Sequence, residues 1–248
     1  MVEVKILNKA AGCVIPWTAG CESYPLQRFQ NYGWSVWNRV ALRNRIALVS
    51  LLPLFPLDVV LFPGAPLPLH IFEPRYKELV AECVAQKTPF GMIRARENAL
   101  AEVGCTAIIL NVTKTYEDGR LDISTEGGQR FEIQQLDQER PFLRGRVVFL
   151  EDEPSQVSST DTETVIQLHQ QLFEVLGQPV EVEKSYASLS FQLAHELPVD
   201  LDFKQSILEM KSEAERIETL IEYYRATIPK VEKTMRARDK ASGNGHVR

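Results

Sequence analysis

The chain has few cysteines: Cys13, Cys21, Cys83 and Cys105 are the only four in 248 residues, with no Cys-x-x-Cys pair and no histidine beside them. That spacing argues against a zinc frame and for reduced intracellular thiols. Cys83 lies on a helical apolar stripe and Cys105 near the start of a strand pattern, so both are expected to fill core as small hydrophobes. The phosphate-cradling Gly-x-x-x-x-Gly-Lys-Ser/Thr loop is missing, as are Gly-x-Ser-x-Gly and His-Glu-x-x-His. No cofactor and no metal are therefore expected. A spanning helix wants about 20 apolar residues in sequence. The best stretch, Ile46 to Phe62, is interrupted by Pro53, Pro56 and Asp58 and followed at once by Pro63, Pro66 and Pro68. No basic-then-apolar leader opens the chain. A cytoplasmic protein without a membrane partner is expected.

An excess of positive charge is also lacking. The net charge is −5, and the pI near 5.5 disfavours a general nucleic-acid binder. Charge is unevenly spread: +4 over residues 1–50, −5 over 51–154, −8 over 155–228 and +4 over the last twenty. With 44% hydrophobic and 25% charged residues, the composition is that of an ordinary globular chain long enough to bury its own core.

Residues 1–45 hold all three tryptophans (Trp17, Trp34, Trp37) without a sustained period, and read as a poorly ordered extension. Residues 46–154 read as a β-rich subdomain. Pro-bounded runs Leu51–Phe55, Val59–Phe62 and Leu67–Phe72 suggest short edge or rim strands, and further strands are expected over Phe90–Arg94, Thr106–Tyr116, Arg120–Thr125, Arg130–Leu136 and Leu143–Leu150. Asp118-Gly119 signals a type I′ hairpin turn, and Gly127-Gly128 a second turn. Between these strands, Tyr76, Leu79, Val80, Cys83 and Val84 form one helical stripe opening near Glu73, with Pro74 in its first turn.

After a polar joint the pattern turns helical over 155–228. Stripes run through Val165, Leu168, Leu172, Val175 and Leu176; through Tyr186, Leu189, Leu193 and Leu197; through Phe203, Ile207 and Met210; and through Ala214, Ile217, Ile221 and Tyr224. Thr160-x-x-Glu163 and Ser212-x-x-Glu215 fit capping boxes. Residues 229–248 read as a basic, frayed tail.

The chemistry-bearing side chains form no catalytic constellation. His169 and His195 lie in separate helical stripes, and His195 and Glu196, being adjacent, face different sides of a helix. His70, within Leu67–Phe72, is a strand histidine; Glu73 and Arg75 flank Pro74 and are expected to pair with each other or to cap the helix.

The run Leu-Leu-Pro-Leu-Phe-Pro-Leu-Asp-Val-Val-Leu-Phe-Pro-Gly from Leu51 to Gly64, followed by Leu-Pro-Leu-His-Ile-Phe-Glu-Pro-Arg-Tyr from Leu67 to Tyr76, strongly resembles the opening of the Lon protease N-terminal domain, most of all its free-standing bacterial form. Gly104–Ile108, Asp118–Arg120, Gly128–Phe131, Leu197–Met210 and Glu215-Arg216 follow in the matching order, so the resemblance covers about residues 51–228. It implies an α+β fold, a PUA-like partly closed β-barrel followed by a C-terminal helical bundle. It also implies recognition of unfolded polypeptide. The ATPase and Ser/Lys protease domains of Lon would begin where this chain ends, so no peptidase activity is carried over and the expectation is a non-enzyme.

Three functions are weighed. The first is binding of unfolded or exposed polypeptide, as an adaptor in protein quality control with a Lon-type protease or chaperone as partner; the candidate peptide-binding residues are Phe62, Ile71, Phe72 and Phe90. The second is RNA binding through the barrel, for which Arg94, Arg96, Arg144 and Arg146 are the best support against a prevailing negative charge. The third is an enzyme acting on a small ligand in the barrel mouth, with His70 or Glu73 as base.

Overall fold

Residues alternate along the sheet: Ile123 and Thr125 are buried on one side, and on the other Ser124 is half-buried while Asp122 is covered by its partners His70 and Tyr116. The computed structural model describes residues 50–96, 99–182 and 188–243. The expected extension over 1–45 lies outside the described residues. Seven strands, β1 (Ser50–Leu57), β2 (Pro66–Ile71), β3 (Phe90–Arg96), β4 (Ala99–Leu100), β5 (Val103–Thr115), β6 (Leu121–Asp137) and β7 (Arg144–Phe149), precede four of the five helices. Those helices are α1 (Pro74–Gln86, between β2 and β3), α2 (Ser159–Val175), α3 (Leu189–Glu196), α4 (Leu201–Glu209) and α5 (Glu213–Gly243). The result is an α+β fold on a mostly antiparallel sheet.

The strands pair in the order β1-β7-β6-β5-β3, and β3 returns to β1 in parallel, so the ladder closes on itself. β1 makes the closure by changing partner. Ser50 to Pro53 pair with β7, and Leu54 to Leu57 pair with β3. Outside this circuit β2 pairs with β6 and β4 with β3.

Two strand expectations are corrected. Val59–Phe62 joins no ladder; Val60, Leu61 and Phe62 are apolar because they pack into the core. Residues 120–136 do not form two strands about a Gly127-Gly128 turn. β6 runs unbroken through both glycines, which are there for close approach. A Cβ on Gly127 would lie 1.9 Å from the Phe62 carbonyl oxygen, and one on Gly128 would lie 2.6 Å from Thr106 Oγ1. Gly127 N–H donates to Ala65 O at 2.9 Å and Gly64 N–H donates to Gly127 O at 2.8 Å, sealing the 62–65 loop onto mid-strand. The Asp118-Gly119 hairpin forms, but only Gly119 has a positive φ (78°), so the turn is not the type I′ that needs two.

N-cap side chains cap three of the helices, α2, α4 and α5, and not α1 or α3. Glu73 stands at the N-cap of α1 with Pro74 next, as expected. For α2 the cap is Ser158, whose Oγ accepts from Asp161 N–H at 3.0 Å; the expected box two residues later is helix interior. Ser212 Oγ accepts from Glu215 N–H at 3.4 Å at the start of α5. Tyr186, expected in the second stripe, lies outside the described residues. Where a tail was expected from Pro229, α5 continues to Gly243. Its upstream turns are anchored by the buried side chains of Ile217, Leu220, Ile221, Tyr224 and Ile228.

One apolar core runs without a break from the sheet and α1 into the helices, for example through Phe62 stacked on Phe191 at 5.6 Å. A small second cluster, Leu52, Leu54, Phe131 and Val147, fills the circuit of strands. Among the described residues, no helix is long and apolar enough to cross a membrane.

Candidate functional site

The register of β2 against β6 sets His70 opposite Asp122. His70 Nδ1–H donates to Asp122 Oδ1 at 2.5 Å, and the Tyr116 hydroxyl donates to Asp122 Oδ2 at 2.9 Å. Burial alone would lift the Asp122 pKa, but these two hydrogen bonds, with His70 and Lys114 charge nearby, outweigh it and hold the carboxyl below its ordinary value. Lys114 and Arg120 lie over the Tyr116 ring, 4.4 and 4.9 Å from its centroid. The group braces the β5–β6 hairpin against β2 and brings His70 to no hydroxyl or thiol nucleophile. Glu73, the other expected base, accepts from Arg75 Nε at 2.9 Å and makes no side-chain cap, so the ion pair is the outcome of the two.

Most other polar groups at depth are matched as well; Arg144 Nε, Gln192 Oε1 and Gln205 Oε1 are the buried side-chain atoms left without a partner among the described residues. His169 Nε2–H donates to Glu196 Oε2 at 2.9 Å, while its Nδ1 accepts from the Tyr224 hydroxyl at 2.7 Å. Burial pushes the Tyr224 phenol far up, so it acts as a donor. Arg216 and Arg130 both pair with Asp152 and sit over Phe191, with centroid distances of 4.2 and 5.3 Å. This knot ties β6, the 150–158 segment, α3 and α5 together. Burial pushes the Cys83 thiol up to about 11 and the Cys105 thiol further still, as suits core filling. Among the described residues, no group of three or more His, Cys, Asp or Glu is placed to hold a metal ion.

The four arginines that favoured RNA are mostly neutralised. Arg94 pairs with Asp58 and Asp202, Arg96 with Asp202, and Arg144 with Asp137 and Glu139. Arg146 alone of the four makes no ion pair among the described residues.

The apolar candidates divide. Phe62, Ile71 and Phe90 are buried in the main core, so their expected role as contact residues is corrected: they present no surface. Phe72 is half-buried at the end of β2, its ring 6.0 Å from that of His70. Among the described residues the exposed large apolar side chains are Leu51, Val84, Leu100, Leu110, Val112 and Leu136, and two of them, Leu110 and Val112, share the outer half of β5. Every residue from Leu110 to Thr115 is exposed, and Leu110 and Val112 are 54% and 39% accessible. Sequence reading missed them because the register shifts between Ile109 and Asn111 and between Val112 and Lys114 break the two-residue alternation that marks a half-buried strand. The signal that remained was a β-forming run, Ile108 to Thr115, leading straight into the hairpin turn.

Residues 51–225 match the family model described as the ATP-dependent protease La (LON) substrate-binding domain. Curated relatives include the Lon protease of Parabacteroides distasonis, 30% identical over 123 residues, which covers 46% of this chain and 15% of the relative. The Lon protease of Anaeromyxobacter dehalogenans is 27% identical over 201 residues, covering 73% of this chain and 24% of the relative. The chain thus spans about a quarter or less of the length of the curated relatives it matches. A crystal structure of a Lon N-terminal domain protein from Xanthomonas campestris aligns with a TM-score of 0.58 at 27% identity, covering 71% of this chain and 99% of that one. The N-terminal domain of a Mycobacterium avium complex Lon protease aligns with a TM-score of 0.52 at 15% identity, a likeness of fold alone.

Proposed function

Because the chain belongs to the family of ATP-dependent protease La (LON) substrate-binding domains, we propose that it binds exposed segments of unfolded polypeptide and leaves their peptide bonds intact. In this reading the closed circuit of strands is a PUA-like, partly closed barrel within a β-rich subdomain over 46–154, and the helices of 155–228 brace it as a second subdomain. The protein works in the cytoplasm as a quality-control adaptor, passing its clients to a Lon-type protease or chaperone.

The observation that carries the reading, beside the family, is the exposure of Leu110 and Val112 close together on one strand, Leu110 being the most exposed large apolar residue among those described. Phe72 adds a half-exposed ring, while Phe62, Ile71 and Phe90 serve as the core beneath. The RNA reading loses support because three of its four arginines are already paired with carboxylates. The small-ligand enzyme loses support because His70 and Glu73 are held by Asp122 and Arg75.

The test is fluorescence anisotropy of the full chain with labelled lactalbumin, reduced and alkylated so that it stays unfolded. The expected result is saturable binding that nuclease does not change, weak or no binding of native lactalbumin, and no fragments on a gel after prolonged incubation. No binding of the unfolded form, or equal binding of both forms, overturns the reading; fragments overturn its non-catalytic part.

A further inference from the structure

Several described strand segments lack a second partner, and they are unequal. The end of β6 pairs with β7 alone over only Gln135–Asp137, and Ser50–Pro53 of β1, which ends in a proline, also pairs with β7 alone. β2 pairs with β6 alone, but it carries Pro66 and Pro68, which have no N–H to offer a further strand. β4 is two residues long. β5 pairs with β3 only as far as Phe90 opposite Ala107, and Pro89 precedes Phe90. From Ile108 to Thr115 its ladder is made with β6 on one side, and no proline interrupts it. This edge unites unpaired main chain, β-forming residues and exposed apolar side chains.

We infer that the open edge of β5, from Ile108 to Thr115, adds an extended, proline-free segment of an unfolded chain as an extra strand, with an acidic side chain of that segment set against Lys114. The inference rests on the polypeptide-binding reading and gives it a place and a mode. Main-chain hydrogen bonds make such addition tolerant of sequence, as a binder of varied clients requires. Leu110 and Val112 supply the apolar contacts. Lys114, over the Tyr116 ring and opposite Asp122 in the register, feels that carboxylate only from beyond ion-pair distance, so it favours a segment that brings a closer one.

A second copy of the same edge is a poorer occupant. Ile108 to Thr115 contain no acidic residue to answer Lys114. The two register shifts also bend the edge, and two rigid copies would have to match bend to bend, whereas an unfolded segment takes up the twist as it binds.

The experiment uses the full chain and a dye-labelled ten-residue peptide of alternating Val and Thr with one Glu. Its twin is N-methylated on four consecutive central residues, which removes main-chain donors on both edges. The expected result is binding of the parent peptide, with the N-methylated twin and the double variant L110K/V112K each weakening it about tenfold or more while circular dichroism stays unchanged. Equal binding of the twin overturns strand addition and leaves polypeptide binding standing. Methylation-sensitive binding that the double variant keeps places the added strand elsewhere and overturns the assignment to β5. Binding of unfolded lactalbumin without the peptide also overturns it, and loss of both ligands overturns the broader function as well. A wild-type dimer in sedimentation that L110K/V112K abolishes gives the edge to a second copy and overturns the inference.

Discussion

Arg216 is wholly enclosed, and its donors are matched one by one. Nε reaches Ser190 Oγ at 2.8 Å, Nη1 reaches Met210 O at 2.9 Å and Asp152 Oδ1 at 3.1 Å, and Nη2 reaches Glu213 Oε2 at 2.7 Å. Removing one member of such a group strands the others, so Arg216→Met is expected to cost about 3–5 kcal/mol of folding stability, read by urea unfolding; a cost under 1 kcal/mol contradicts the picture of a tie between sheet and helices. Asp122 makes a pH-dependent contribution. Its carboxyl is held below its ordinary value, so its stabilisation is present above the unfolded-state pKa of about 4 and is lost as the pH falls through the lower folded value. Asp122→Asn is therefore expected to be less stable than the parent at pH 7 and to approach it on acidification; parallel stability curves rule this out. At this scale the sequence was legible for residue type and not for exposure. Phe62, Phe72 and Phe90 look alike in a Pro-rich apolar run, and only the packing of α1 and α3 over the sheet separates the buried pair from the half-exposed ring.

At the scale of elements, periodicity found the strands and helices where one face is covered, and went wrong where a local device replaced the period. Gly127-Gly128 looked like a turn because glycine serves both turns and close approach, and the second use depends on a loop more than sixty residues upstream. The cap of α2 moved to Ser158 because several hydroxyl residues in succession compete for that place. Helix α5 carries Pro229 in its interior, where the missing N–H leaves the Arg225 carbonyl without its helical partner. The proline has helix on both sides and an anchored turn before it. Pro229→Ala is expected to slow amide exchange across residues 226–238, since proline costs a helix interior about 3 kcal/mol relative to alanine. Unchanged exchange would mean that this part of the helix is not limited by Pro229.

Across the whole molecule, the resemblance that opens at Leu51–Tyr76 and continues in order to Glu215-Arg216 carried more than any period did, and the family match covers residues 51–225. The closure of β3 on β1 was not legible residue by residue: a parallel contact between segments about forty residues apart has no local pattern. The same circuit explains why the candidate surface lies where it does. Closing the ladder uses the edges of β1, β3 and β7, prolines blunt β2, and the β5 arm that reaches past the circuit keeps its edge. Binding of unfolded polypeptide at that edge is read by amide hydrogen exchange of the full chain, with and without saturating unfolded lactalbumin. New protection concentrated in residues 108–115 is expected. Protection confined to the helices, or none at saturation, rules out binding at this edge.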